Sequence, residues 1–554
     1  MKIDVVFVID KSGSIGRKNF EFVKNFVKMF IEYFPVFPSK TRVAIVSYST
    51  YRRLEFNFNE NRNRKCLRGG IKKMRYTNGR TSTGNALELV RTRLIYNSKA
   101  GAREQAKKLI FVITDGKSNL GIDPGVPAGK LKQNDNVSIV AVGVTNKINQ
   151  TELQSIASSP SHVIHVKDFD ALKKLTQSLK DDLSKKCENG KTVLDECGRR
   201  CRCKDGLLVD CCRLRKEFTQ LSKEELIRYI NAVKKASTDP RYKRKYDQLL
   251  TLHVELFRRI HKKDFFLTWH RWFLLQYENL LRKIDCRVTL PYWDWTLVAG
   301  KPFTFGEGDF WASGEEGFGG NGSPPGGCVK TGPFREGEWS LIRSAGGGCL
   351  KRNFNGRFPD LISLASLLKS TSKPEDFSKF ESQLRVVFHN NVACGIGGTM
   401  CTKHGASAPE FFPHHGFIDK IWSDWQKQSP AHKFHKFFKY QKGDMPATRG
   451  YRSRDFLDLS NQPDCVCVDY GEARNNVSKL IKGLPLSTLQ NIPRLSLSEL
   501  NANATTLFQT SADELEKLSK LRATIAPKVI FKGSLNGTDA SFGFRISDVL
   551  KAKG

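Results

Sequence analysis

Four short apolar runs set the strongest limit on how this chain can fold. They are VVFVID (5–10), RVAIVSYS (42–49), KLIFVITDG (108–116) and VSIVAVGV (137–144). None alternates between apolar and polar residues, so each reads as a strand covered on both faces. Amphipathic segments of helix length, such as RKNFEFVKNFVKMFIEYF (17–34), separate them. Strands of this kind in alternation with helices predict a doubly wound α/β fold over residues 1–185, a parallel sheet with helices on each side. In such sheets ligands sit beyond the carboxyl ends of the strands.

Those strand ends carry hydroxyl and carboxylate side chains. DKSGSIG supplies Asp10, Ser12 and Ser14, GRTSTGNAL supplies Thr81, and ITDG supplies Asp115. Two carboxylates and three hydroxyls make a hard oxygen cage suited to Mg²⁺, Ca²⁺ or Mn²⁺. The bland reading is that Asp10 and Asp115 only cap turns; five such residues on three strand-end loops favour the cation. The segment closely resembles the von Willebrand factor type A domain and its metal-ion-dependent adhesion site. That resemblance implies capture of an acidic residue of a protein partner, often from extracellular matrix.

The chain is strongly basic, with 91 Lys and Arg against 56 Asp and Glu and a formal charge of +35. Such a surface attracts polyanions in general, but no finger or RNP pattern is present and no nucleic-acid partner is expected. Six of the 14 cysteines crowd into residues 187–212. Their C-x-C and C-C spacings fit zinc poorly and fit a disulfide module over 186–214, which implies an oxidising compartment. Pairing within the module, or with Cys286 and others outside it, is open. Six N-x-S/T sequons, at Asn136, Asn149, Asn321, Asn476, Asn503 and Asn536, agree with secretion. MKIDVVFVID reads as a strand rather than a secretory leader, so the natural N-terminus is expected to lie further upstream. No run of 18 apolar residues occurs, and no membrane span is expected.

Residues 215–467 read as mainly helical, a bundle-like second domain. LSKEELIRYINAVKKAS opens on a capping box, Ser222 with Glu225. Seven of the 11 histidines fall in two groups, 253–270 and 389–415, among aromatic residues. A lone histidine on an apolar face is usually a core residue, but imidazoles on facing helices can share copper, zinc or iron. The segments HKKDFFLTWHR, LPYWDW and HHGFIDKIW, in that order, resemble the tyrosinase family of type 3 copper proteins. The resemblance implies two coppers, with His253, His261 and His270 on the first (CuA) and His389 and His415 on the second (CuB). It also implies ortho-hydroxylation of phenols and oxidation of catechols to quinones, on phenolic small molecules or tyrosyl side chains, or else oxygen carriage. Glu278 and Asp419 would orient the imidazoles, and Asn390 would orient a water.

One expected ligand is absent. The family pattern H-x3-H puts two imidazoles on one helix face, but four residues after His389 stands Ala393. Cys394 lies roughly 100° off that face, and His404 sits in a nearby loop as another donor. Ala408, where the family commonly has aspartate, bears on a turn. Two readings follow: a secreted copper oxidoreductase localised by its adhesion domain, with two coppers or one, or a catalytically impaired tyrosinase-fold matrix protein. For the tail, 468–554, a helix over SADELEKLSKLRATIAP and two strands around an Asn-Gly turn near 536 are expected. In some tyrosinases such a segment covers the copper site.

Overall fold

A computed structural model describes residues 2–37, 40–60, 63–146, 148–174, 177, 187–204, 207–262, 265–356, 358–434, 444–448, 450–472 and 500–523. It divides into two units, residues 1–213 with 460–467, and residues 214–459 with the remainder of the chain.

The first unit is built on a six-stranded sheet. Its strands are β1 (Ile3–Asp10), β2 (Thr41–Tyr48), β3 (Arg52–Phe56), β4 (Lys107–Thr114), β5 (Val137–Val144) and β6 (Val163–Val166), in the order β3-β2-β1-β4-β5-β6. All neighbours pair parallel except β2 with β3. The helices α1 (Gly16–Phe30), α2 (Arg64–Lys73), α3 (Thr83–Arg93), α4 (Gly125–Lys132) and α5 (Gln150–Ile156) connect the strands. The period of two along β1 explains its unbroken apolar run. Val5, Phe7 and Ile9 enter one core with Phe20, Val23 and Val27 of α1, while Val6 and Val8 enter another with Ala86, Leu87 and Val90 of α3. Each face needs its own apolar set. The four expected strands are present, and β3 and β6 are additional. Both lie at sheet edges and are partly exposed, so neither RRLEF nor VIHV carries the apolar run that marks the inner strands.

An antiparallel module follows, in which β7 (Thr192–Leu194) pairs with β8 (Arg200–Lys204) and β8 with β9 (Leu207–Arg215). Disulfides Cys187–Cys203 and Cys201–Cys211 close it internally. Cys66–Cys465 and Cys212–Cys467 fasten the returning segment 460–467 within this unit. Among the described residues no cysteine is free. With so little apolar area of its own, the module depends on these cross-links.

The second unit is mainly helical: α6 (Lys223–Thr238), α7 (Pro240–Ile260), α8 (Phe266–Ile284), α9 (Leu361–Ser370), α10 (Phe377–Gln383), a π-helical stretch Leu384–Asn390, α11 (Asn391–Ile396) and α12 (Phe411–Gln426). The capping box at Ser222 and Glu225 forms on α6. Helix α8 is buried on nearly every side, as befits the centre of a bundle. Two arginines are buried beside it. Arg271 Nε donates to Asp419 Oδ1 at 2.6 Å, and its guanidinium lies 3.6 Å from the centre of the Trp422 ring. Arg215 pairs with Glu278 and Asp419 at 3.3 and 3.4 Å, and the Tyr470 hydroxyl donates to Asp419 at 2.6 Å. In the tail, α13 (Ala502–Leu507) and α14 (Ala512–Ala523) are helical. The strands expected near 536, and the sequons at Asn476 and Asn536, lie outside the described residues.

Removing one member of a buried ion network leaves the others charged and dry, at a cost of about 3–5 kcal/mol. Asp419→Ala is expected to destabilise the second unit by that amount, read as a lower denaturant midpoint in chemical unfolding. A change under about 1 kcal/mol would show the network to be dispensable.

Candidate metal centres

The first candidate centre lies where the sheet rule places it. Asp10 ends β1 and is fully buried; Asp115 follows β4 and is nearly so. Asp10 accepts from the Ser12 amide at 2.8 Å and from the Thr114 hydroxyl at 2.7 Å. The Ser12 and Ser14 hydroxyls stand 3.1 Å apart, and Ser14 donates to Asp115 at 2.8 Å. Asp10, Ser12, Ser14 and Asp115 thus share one hydrogen-bonded chain. Thr81 is on a neighbouring loop, tied in by Gly13 N to Gly79 O at 2.8 Å and by the Ser118 hydroxyl to Thr81 O at 3.3 Å. Burial pushes the Asp10 carboxyl up to about 6 against the bonds from Ser12 and Thr114, with Asp115 adding to the rise.

The second centre is a pocket of imidazoles. His253 is on α7, His261 caps its end, and His270 is on α8. His389 is in the π-helical stretch, and His414 and His415 are on α12. They form two buried triads, His253/His261/His270 and His389/His414/His415, each offering three nitrogens within 4.8 Å of one another. The triads adjoin: His270 and His415 stack with centroids 4.4 Å apart, and His261 lies 5.5 Å from His389.

The outer nitrogens are held by the helices themselves. Nδ1 of His261 meets the Phe257 carbonyl at 2.9 Å, and Nδ1 of His270 meets that of Phe266 at 2.7 Å. Nδ1 of His389 meets Asn390 Oδ1 at 2.7 Å, and its Nε2 lies 2.9 Å from Nε2 of His415. Glu278 and Asp419, expected to orient the imidazoles, pair with Arg215 and Arg271. Nδ1 of His261 and of His270 is held by a main-chain carbonyl one turn back, because a ring at position i reaches the carbonyl at i−4.

Burial drives all six imidazoles to the neutral form. It lowers His253, His261, His270, His414 and His415 well below the ordinary range and His389 to about 4. Both nitrogens of His253 and of His414, Nε2 of His270 and Nδ1 of His415 are buried without a hydrogen bond. Neutral imidazoles with lone pairs facing a dry interior are a donor set for a late transition metal.

Comparison with known proteins decides the family. Residues 4–178 match the von Willebrand factor type A domain, and residues 243–428 match the common central domain of tyrosinase. A tyrosinase of Streptomyces lincolnensis is 32% identical over 244 residues, 40% of this chain and 85% of that protein. The chain belongs to the tyrosinase family. A tyrosinase of Streptomyces antibioticus is 30% identical over 241 residues, covering 39% and 84%. For the other half, the collagen alpha-1(XII) chain of Notophthalmus viridescens is 32% identical over 182 residues, 32% of this chain but 19% of that protein. Proximal thread matrix protein 1 from the mussel byssus is similar at 27% identity with a TM-score of 0.31, covering 33% of this chain and 48% of that one. The tyrosinase domain implies copper, and the six histidines fit it. Among the described residues no helix is long and apolar enough to cross a membrane.

Within the tyrosinase domain, Ala393 is buried on α11 and offers no donor. Cys394 is joined to Cys401 in a disulfide, and His404 belongs to neither triad. Asn390 Nδ2 is buried and unbonded. Two contributors escape the sequence reading. His414 belongs to the second triad, where the adjacent pair HH offers two imidazoles rather than one. Phe508, just after α13, lays its ring 5.2 Å from His261 and 5.4 Å from His389. An isolated phenylalanine some 90 residues downstream gives no sequence cue.

The raised Asp10 carboxyl predicts a pH-dependent cation effect. Its folded value lies above the usual aspartate value near 4, so its stabilising contribution is present below that value and is lost as pH rises through about 6. A bound cation restores it, by about 2.7 kcal/mol at a hundredfold excess over Kd. Mg²⁺ or Mn²⁺ is therefore expected to raise the unfolding temperature of the first unit at pH 7.5 and to do little at pH 5. Asp10→Asn should abolish the effect. An equal cation shift at both pH values, or in the variant, would contradict the site.

Proposed function

We propose that this chain is a secreted tyrosinase-type copper oxidoreductase, localised outside the cell by its cation-dependent von Willebrand A domain. The adjoining pair of buried histidine triads carries the reading. His253, His261 and His270 hold the first copper, and His389 and His415 belong to the second. When bound, copper supplies the activation of O₂ for ortho-hydroxylation of phenols and oxidation of catechols to quinones. The chain's own residues do the rest. The carbonyls of Phe257 and Phe266 and the Asn390 side-chain oxygen fix the ring tautomers, leaving the opposite nitrogens to the metal. Asn390 Nδ2, buried and unbonded, is placed to orient a water.

Phe508 covers the site. Its ring occupies the apolar space over His261 and His389 that a phenol ring would use, so the tail competes with substrate. The von Willebrand A unit binds a divalent cation through Asp10, Ser12, Ser14, Thr81 and Asp115 and captures an acidic group of an extracellular matrix partner. The basic surface, at +35, favours acidic proteins, whose tyrosyl side chains are one class of phenol within reach. Fourteen cysteines with none free support an oxidising compartment.

Ala393 favours a second reading, a matrix protein in which the tyrosinase fold binds too little copper to turn over. Turnover separates the two. The copper-loaded full chain should convert catechol to quinone in visible absorbance, and His270→Gln should reduce this to background. Phe508→Ala should raise kcat/KM roughly tenfold, the effect of removing about 1.4 kcal/mol of competition. No quinone from a chain holding two coppers, with or without Phe508, would overturn the oxidoreductase reading. Cation-dependent adhesion would then be the surviving function.

A further inference from the structure

We propose that His414 is the third protein ligand of the second copper, in the place Ala393 leaves vacant. This rests on the copper reading above. Five observations point to His414. It is fully buried, its ring centre lies 5.1 Å from that of His389 and 5.4 Å from that of His415, and a nitrogen of each of the three falls within 4.8 Å of the others. Neither of its nitrogens makes a hydrogen bond of ordinary geometry, a loose approach to the His389 main chain being its one polar contact of that kind, a rare condition for a buried polar side chain. Of the other nearby candidates, Ala393 has no donor, Cys394 is in a disulfide, and His404, whose Nδ1 is also buried and unbonded, lies outside both triads.

Adjacent residues on a helix point about 100° apart, and the His414 and His415 rings lie at 88° to one another. Each nonetheless offers a nitrogen within 4.8 Å of the other and of one on His389. Trp295 fixes the first of them, stacking on His414 at 4.8 Å and 29°. The third, His389, is on the π-helical stretch Leu384–Asn390, a distortion that recurs at functional sites because it re-aims a side chain. A plain core role explains the stacking on Trp295 and leaves both nitrogens unpaired. A ligand role explains both.

The test is copper bound per full-length chain, by competition against a copper(I) chelator, in wild type, His414→Phe and Ala393→His/His414→Phe. Phenylalanine keeps the ring on Trp295 and removes the donor. Wild type should bind two coppers, His414→Phe should weaken the second at least tenfold with the first unchanged, and the double variant should recover it. Two coppers of unchanged affinity in His414→Phe would overturn the proposal and leave the copper reading intact. One copper in wild type, indifferent to His414→Phe, would overturn the proposal and leave only the first site. No copper in wild type would overturn both. X-ray absorption of the copper-loaded wild type tests the proposal without a variant: an average of three imidazoles per copper supports it, and two and a half would overturn it.

Discussion

Six imidazoles held neutral in a dry pocket are the constraint to which the rest of the second unit conforms. Each charged neighbour has been given a different partner. Arg271 and Arg215 are neutralised by Asp419 and Glu278 and by the Trp422 ring, so neither carboxylate draws a proton onto a histidine. The orienting bonds come instead from carbonyls of the same helices, which fix a tautomer without adding charge. An interior that leaves so many nitrogens unbonded is costly for the metal-free protein. That cost is the counterpart of an affinity for a late transition metal.

The first unit applies the same physics to a hard cation. Here the donors are oxygens at strand ends, linked to one another by hydroxyl bonds, and one carboxyl is buried enough to rise to about 6. Hydroxyls and carboxylates at a sheet end leave a face open to a partner's carboxylate. Imidazoles within a helical bundle leave only a small, covered space.

Much of this was legible in the sequence because it is local. Unbroken apolar runs announced the inner strands, the capping box announced α6, and carboxylates directly after apolar runs announced the hydrogen-bonded cluster at the sheet end. The illegible parts depend on contacts between distant segments. β3 and β6 are edge strands without an apolar run, and the pairing of Cys66 with Cys465 spans 399 positions. The partners of Glu278 and Asp419 were not legible because the arginines that pair with them are remote in sequence, Arg215 lying 204 positions from Asp419. His414 was hidden for a different reason. A periodic motif draws attention to the position that should hold a ligand, here Ala393, and not to a neighbour one step from another ligand.

The central claim is that the two triads act as one binuclear centre. Electron paramagnetic resonance of the copper-loaded, oxidised full chain, integrated against total copper, tests it most directly. Two cupric ions as close as these triads imply couple strongly, so two coppers per chain with almost no resonance signal are expected. A signal accounting for all the copper present would mean isolated ions, and would contradict it.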